Sequence, residues 1–428
     1  MYLALRQVSV TGDATELLVL KMFTGLKILS ALILLPILFC LQCHAQVPDQ
    51  ILSEALTART AFAPEDFSAL EQGEAIVKLL PVKDRREVAV CGVIKLSAPA
   101  EISLKSFQEA LSQANRKSIG LAGRFSTPPN LTDLEHLTLD KRDLSDLKHC
   151  AIGDCKLNLS ATMIERFQRE VNWNAPDNAT KANQLFRQML VEYVQQYLER
   201  GDSALIEYSD ASPPVRLAEE HQSLLAEILY VNEADPAFAA YLKTFPFGSL
   251  PNVENAVSWA KIKFGLKPVI IVTHVATHTS HADDMTRIIV LSKQIYANHY
   301  FDASLSLMAV VSNQTSAGTQ SYLLYTNHSR AAGLAGSFSK LKHKLVESEA
   351  VENLENLLQQ TRLVIESNAA GPRVSARRSG GERFVAWFGG LPQLILWLVL
   401  VALLGAFFYL VVPLVVQRAR LQKKNNPL

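Results

Sequence analysis

Charge of either sign is not in excess: 42 lysines and arginines stand against 41 aspartates and glutamates, a formal net charge of +1. Such a chain has no overall field to recruit a phosphate backbone, so no nucleic-acid partner is expected. Glycine and proline, 19 and 18 residues, are too few for a collagenous or low-complexity chain. Short enzyme signatures are missing as well. The sequence has no Gly-x-Ser-x-Gly elbow, no His-Glu-x-x-His, no phosphate loop ending in Gly-Lys-Ser/Thr and no dinucleotide glycine fingerprint after a strand. A catalytic set assembled from distant residues stays open, because spatial triads need no local motif. What is present is apolar material, 49% of residues, enough for a sizeable core and concentrated at the two ends.

Ile28 to Leu41 is apolar except for Ser30 and Pro36, follows Lys21 and Lys27, and precedes Cys43-His44-Ala45-Gln46. A helix of that length reaches about 21 Å, short of a hydrocarbon core of roughly 30 Å. Residues 1–45 therefore predict a signal peptide cut after Ala45, with Met22 as a candidate start, since Asp13 and Glu16 are foreign to a targeting segment. Near the other end no charge occurs between Arg383 and Arg418, and Leu394 to Val412 is unbroken apolar sequence, about 28 Å as a helix. The spacing predicts a transmembrane helix over 390–416, contacting the lipid bilayer from Leu391 to Val416, with a basic linker over 371–389 and a cytoplasmic tail over 417–428. The body, 46–370, is then extracytoplasmic. Its cysteines are Cys91, Cys150 and Cys155. The last two flank a turn-forming Gly-Asp, which points to a local disulfide in an oxidising compartment; a metal pair with His149 is the alternative.

Within the body, Glu87 to Leu96 alternates as a half-buried strand, and after Ser103 the positions Leu104, Phe107, Leu111 and Ala114 switch to helical spacing. Helices are predicted after Ser160, Pro176 and Pro214, an insertion over about 160–260. Beyond Gly265 the period becomes two: Pro268–Ala276, Arg287–Tyr296, His299–Val311 and Tyr322–His328 read as strands, the last two joined by the loop from Ser312 to Gln320. A helix from Ser337 to about Ser367 follows, with an apolar seam through Phe338, Leu341, Leu345, Val351, Leu354, Leu358, Thr361 and Ile365. The fold class expected is α+β: an antiparallel sheet gripping a long C-terminal helix, with a helical insertion, plus one C-terminal transmembrane helix.

This order of elements, over Arg86 to Ala114 and Pro268 to Ser367, resembles the helix-grip topology of the START and polyketide-cyclase-like superfamily. Gly265-Leu-Lys-Pro-Val and the run from Ser292 to Ser304 also resemble segments of uncharacterised bacterial exported proteins. The superfamily resemblance implies a curved sheet around an apolar ligand cavity. No cofactor is implied.

His274, His278 and His281 would share a face on a helix, but Val269-Ile-Ile-Val-Thr-His-Val favours a strand, where His274 and His278 lie about 13 Å apart and cannot share one metal ion. In the run from His299 the odd positions are apolar and Tyr300, Asp302, Ser304 and Ser306 form a wet face or line a polar-mouthed cavity. With His274, Lys293 and Tyr296, the group His299, Tyr300 and Asp302 makes the candidate ligand-binding set. The function these observations favour is a membrane-anchored extracytoplasmic binding protein for an apolar or lipid-like ligand, without assigned catalysis. The alternatives are an envelope scaffold that binds partner proteins, and a hydrolase using His274 and His299.

Overall fold

The computed structural model describes residues 62–369 apart from 117, 229–234, 265–266, 283, 317 and 337. The predicted signal peptide, linker, transmembrane helix and tail lie outside the described residues. Inside them the chain runs α1 (Pro64–Glu71), β1 (Ile76–Leu79), β2 (Glu87–Leu96), α2 (Ala100–Asn115), β3 (Ile119–Arg124), α3 (Lys141–Leu147), α4 (Ala161–Glu170) and α5 (Asn178–Arg200). Then come β4 (Glu207–Tyr208), β5 (Val215–Arg216), α6 (Leu217–Glu227), α7 (Pro236–Thr244), β6 (Val253–Phe264), β7 (Lys267–Ala282), β8 (Met285–Ala297), β9 (Ala303–Thr315), β10 (Gly318–Arg330) and α8 (Ser339–Ala369).

Eight strands pair antiparallel in the order β1-β2-β10-β9-β8-β7-β6-β3. Alternation along each strand gives the sheet two faces, and both are covered. On the first face Ile270, Val272, Leu291, Leu305 and Leu307 pack with Phe167, Phe186, Leu190 and Tyr197 from the helices between β3 and β6; this helical layer is a cap. On the second face Val90, Ile94, Val290, Met308 and Tyr325 pack with Phe107 and Leu111 of α2 and Leu354 and Leu358 of α8. Local signals set the helix limits: Ser160 accepts the Met163 N–H at 3.2 Å to open α4, and Asp235 accepts the Phe238 N–H at 2.9 Å to open α7.

The expected architecture needs correction at four points. First, no helix among the described residues is long and apolar enough to cross a membrane, and the fold they show is α+β with a large antiparallel sheet. The longest helix, α8, buries only one stripe and carries lysines and glutamates around the rest. Second, β6 lies where the predicted insertion still ran, and β3 and β1 complete the sheet edges, so the cap ends at Thr244. Third, the predicted loop from Ser312 to Gln320 is a tight hairpin, with Thr315 opposite Gly318. Fourth, the strand predicted from His299 starts at Ala303, which leaves His299, Tyr300 and Asp302 in the β8–β9 connection. The wet face predicted for Ser304 and Ser306 is dry, both being 1% exposed, because the sheet is covered on two sides.

α8 sits directly on β2. A Cβ placed on Gly92 would lie 2.8 Å from Leu354 Cδ2 and 2.9 Å from Leu358 Cδ1, so glycine is what lets helix and strand approach here. Gly92→Ala is expected to destabilise the protein by about 1–3 kcal/mol through overpacking, and Leu358→Ala by about 2–5 kcal/mol through a cavity. In urea unfolding the double variant should be less destabilised than the sum of the two, since the second change makes room for the first.

Candidate functional site

Covering both faces of a sheet has a cost: every polar side chain on the central strands must find a partner without water. On the cap face most do, the Tyr296 hydroxyl and His328 Nε2 being the ones with no hydrogen-bond partner among the described residues. His274, on β7, accepts the Tyr197 hydroxyl of α5 at Nδ1, 2.8 Å away, and donates from Nε2 to Asn255 Oδ1 at 3.0 Å. An amide oxygen only accepts, which fixes the tautomer of a neutral ring. Lys293, opposite His274 in the register, donates to Asp202 at 2.7 and 3.0 Å. His278 pairs with Asp235 at 2.8 Å. His221 of α6 donates from Nε2 to the Gln294 carbonyl at 2.6 Å.

The predicted ligand-binding residues therefore do not converge on one pocket. His274 and Lys293 are neighbours in one cap contact. Tyr296 is buried among Phe186, Tyr193 and Tyr208, with ring centroids 6.2 to 6.5 Å apart. His299 binds Asp143 at 2.9 Å, an aspartate that Lys267 also reaches at 3.1 Å. The Tyr300 hydroxyl accepts the Lys267 N–H at 2.9 Å. Asp302 accepts from Arg86 at 3.1 Å, within a cluster where Arg86 and Arg330 also bind Glu220 and Arg330 binds Glu87. These bonds fasten α3, α5, α6 and α7 to the sheet. No group of three metal-ligating side chains occurs among the described residues.

Burial decides the protonation states. It drives the His274 pKa down to about 3, with the Lys293 ammonium adding to the effect, and it lowers His221 in the same direction, again with Lys293. Burial also pushes Asp302 up to about 6, against the pull of Arg86. At neutral pH His274 and His221 are thus neutral, and both ring nitrogens of His274 are taken up by Tyr197 and Asn255.

The second face differs. Ser258, Thr273 and Gln294 are opposite one another across β6, β7 and β8, and Ser292, Ser306 and Asn327 are opposite across β8, β9 and β10. Opposed residues share a face, so with Ser304 and Ser329 they form one polar ribbon about 19 Å long across four strand spacings. All are buried. Its β9–β10 half is closed on itself: Asn327 donates to Ser306 at 3.0 Å and to Ser304 at 3.3 Å, Ser304 and Ser329 share a bond of 2.8 Å, and Ser329 donates to Asn327 at 2.9 Å. Its β6–β8 half is not. Ser258 Oγ, Thr273 Oγ1, Ser292 Oγ and both Gln294 side-chain atoms have no hydrogen-bond partner among the described residues. Apolar clusters flank the ribbon, Val275, Val290 and Met308 on one side and Ile271, Ala297 and Phe301 on the other.

Sequence reading reached Ser304 and Ser306 and missed Ser258, Thr273, Ser292 and Gln294. The usable signal was the recurrence of Ser, Thr, Gln or Asn at alternate strand positions, but their alignment exists only once the register is known. Elsewhere, the predicted disulfide is present between Cys150 and Cys155. Beside it an open depression of about 560 Å³ is lined by Cys150, Ile152, Ile164 and Gln168. A scan against protein-family models finds no match, and a search of curated proteins returns no significant relative.

An unfolded histidine titrates near 6.5, so as pH falls below that value the unfolded chain takes up a proton that folded His274 refuses. Stability is then lost with acidification. His274→Gln is expected to make the stability-against-pH curve shallower by roughly 1 kcal/mol per pH unit below about pH 6.5. Urea unfolding at a series of pH values checks this; an unchanged slope would mean that folded His274 titrates normally.

Proposed function

We propose that the protein binds an amphiphilic ligand on the sheet face crossed by α2, its polar group meeting the unpartnered half of the ribbon and its apolar part the flanking clusters. The observation that carries this reading is the row Ser258, Thr273, Ser292 and Gln294. Each buried polar atom without a partner costs about 1–3 kcal/mol, so five of them approach the whole stability of an ordinary domain, about 5–15 kcal/mol. A bound molecule with matching donors and acceptors offsets that cost.

The ribbon also specifies the chemistry. Hydroxyls and a carboxamide both donate and accept, and no buried charge belongs to the row, so the fitting group is uncharged: a hydroxyl, ester or amide. A charged head would lose its hydration without gaining a counterion. α8 is not the wall of a cavity at β2, where Leu354 and Leu358 touch Gly92; the ligand belongs over β6 to β9. The Cys150–Cys155 disulfide favours an oxidising, extracytoplasmic compartment. A second reading, a scaffold for partner proteins, rests on the depression beside that disulfide, where Ile152 is 55% exposed.

Native mass spectrometry and organic extraction of the purified protein test the first reading. The wild type is expected to release a neutral-headed amphiphile and to melt at lower temperature once stripped. Thr273→Val and Gln294→Leu should carry severalfold less of it while the stripped variants are at least as stable as the stripped wild type, since each change removes an unsatisfied group. Wild-type protein that releases nothing, or variants that retain the full amount, would overturn the proposal.

A further inference from the structure

The N-terminal turns of α8 carry an arrangement that the fold does not use. The apolar seam of this helix, as the sequence predicts it, begins at Phe338 and Leu341, yet these two face outward, 67% and 45% exposed, and burial begins in earnest at Val346 and Ala350. Around them stand Lys340 and Lys344, exposed, and Lys342, whose Nζ reaches the Gly333 carbonyl at 2.7 Å. His343 donates from Nε2 to the Arg85 carbonyl at 2.8 Å, which ties this turn to the segment holding exposed Lys83 and Arg85. Lys83, Arg85, Lys340 and Lys344 have no carboxylate partner among the described residues. Glu347 is engaged with His343 at 3.3 Å and Asp84 with Arg86.

Two features make this placement unusual. Lysines in the first turns of a helix oppose its macrodipole, which favours anions at that end, and no acidic residue occupies the first turn of α8 to relieve them. Phe338 holds φ at 61°, a left-handed conformation that bulky residues rarely adopt, and its carbonyl accepts the Leu341 and Lys342 N–H groups. An exposed aromatic ring and an exposed leucine inside a ring of cations, at the positive end of a long helix, match a surface that is negative outside and apolar beneath. We infer that this patch docks onto an anionic lipid bilayer, with Phe338 and Leu341 entering the acyl boundary and Lys83, Arg85, Lys340 and Lys344 at the headgroups. The patch shares no residue with the ligand ribbon or with the chain ends.

The whole chain carrying Phe338→Trp, incorporated into vesicles of phosphatidylcholine alone or mixed with phosphatidylglycerol, tests it through the emission difference from wild type. In mixed vesicles the added indole is expected to shift to the blue and to be quenched severalfold more by brominated acyl chains than in neutral vesicles. Adding Lys340→Glu and Lys344→Glu, or raising the salt concentration, should abolish the difference; both lysines are exposed and leave the contacts of Val346 and Leu354 in place. Equal quenching in the two compositions, no quenching in either, or indifference to charge reversal would each overturn the assignment. Duplex DNA in place of vesicles should give no blue shift; a shift equal to that with lipid would assign the patch to a nucleic-acid partner instead.

Discussion

A sheet with two dry faces governs this molecule. Once the cap covers one side and α2 and α8 the other, the polar side chains in the buried middle of β7 to β10 cannot fall back on water, and each must be met by another group. The two faces solve this differently. The cap face uses long-range pairs from separate elements: Tyr197 with His274, Asp235 with His278, Asp143 with His299 and Asp202 with Lys293. The opposite face uses short hydroxyl and amide side chains that bond mostly to neighbours on the sheet, Ser321 reaching Ser103 of α2 instead, and from β6 to β8 that supply runs out.

The difference separates structure from function. A buried pair such as His299 with Asp143 contributes modest net stability, because desolvation cancels much of the attraction, but losing one partner is costly. Such pairs fix where the cap sits rather than how strongly it holds. Their spacing along the sheet, with Asp143, Asp202, Glu220 and Asp235 each contributed by a different cap segment, pins the layer at several points and rules out sliding. Those groups are occupied by the fold. The unpartnered row from Ser258 to Gln294 has no such occupation, and for that reason carries the functional reading although it contains no histidine, lysine or carboxylate.

Much of the fold could be read from the chain. Alternation at Glu87 to Leu96, Ser160 ahead of α4, and the β-branched run around His274 that separates it from His278 each encode local structure, and local structure is what periodicity reports. Other elements were hidden for physical reasons. β6 carries Ser258, Trp259 and Lys261 within a few residues, so its burial on both sides leaves no simple alternation, and its pairing with β3 spans the whole cap. The candidate site was legible only in part because its residues are ordinary. Ser, Thr and Gln on a strand read as a solvent face until the second helical layer is known to lie over them. His274, Lys293, His299 and Asp302 drew attention for their chemistry, and in the structure each is bonded to a group from a separate segment of the chain.

The basic-aromatic patch and the polar ribbon lie toward one end of the sheet. β10 passes through Asn327 and Ser329, ends at Arg330, and within eight residues reaches Phe338 by way of the short turn Ala332–Leu334. Arg330, bound to Glu87 and Glu220, anchors the end of β10 from which that turn leaves, and Phe338 beyond it is exposed. An amphiphile is scarcely soluble, and a protein that carries one gains most when it meets the bilayer with the end nearest its binding groups, since transfer then requires no passage of acyl chains through water. On the proposed reading, cations outside and neutral hydrogen-bonding groups inside act in succession, the surface charge selecting the membrane and the uncharged ribbon selecting the molecule taken from it.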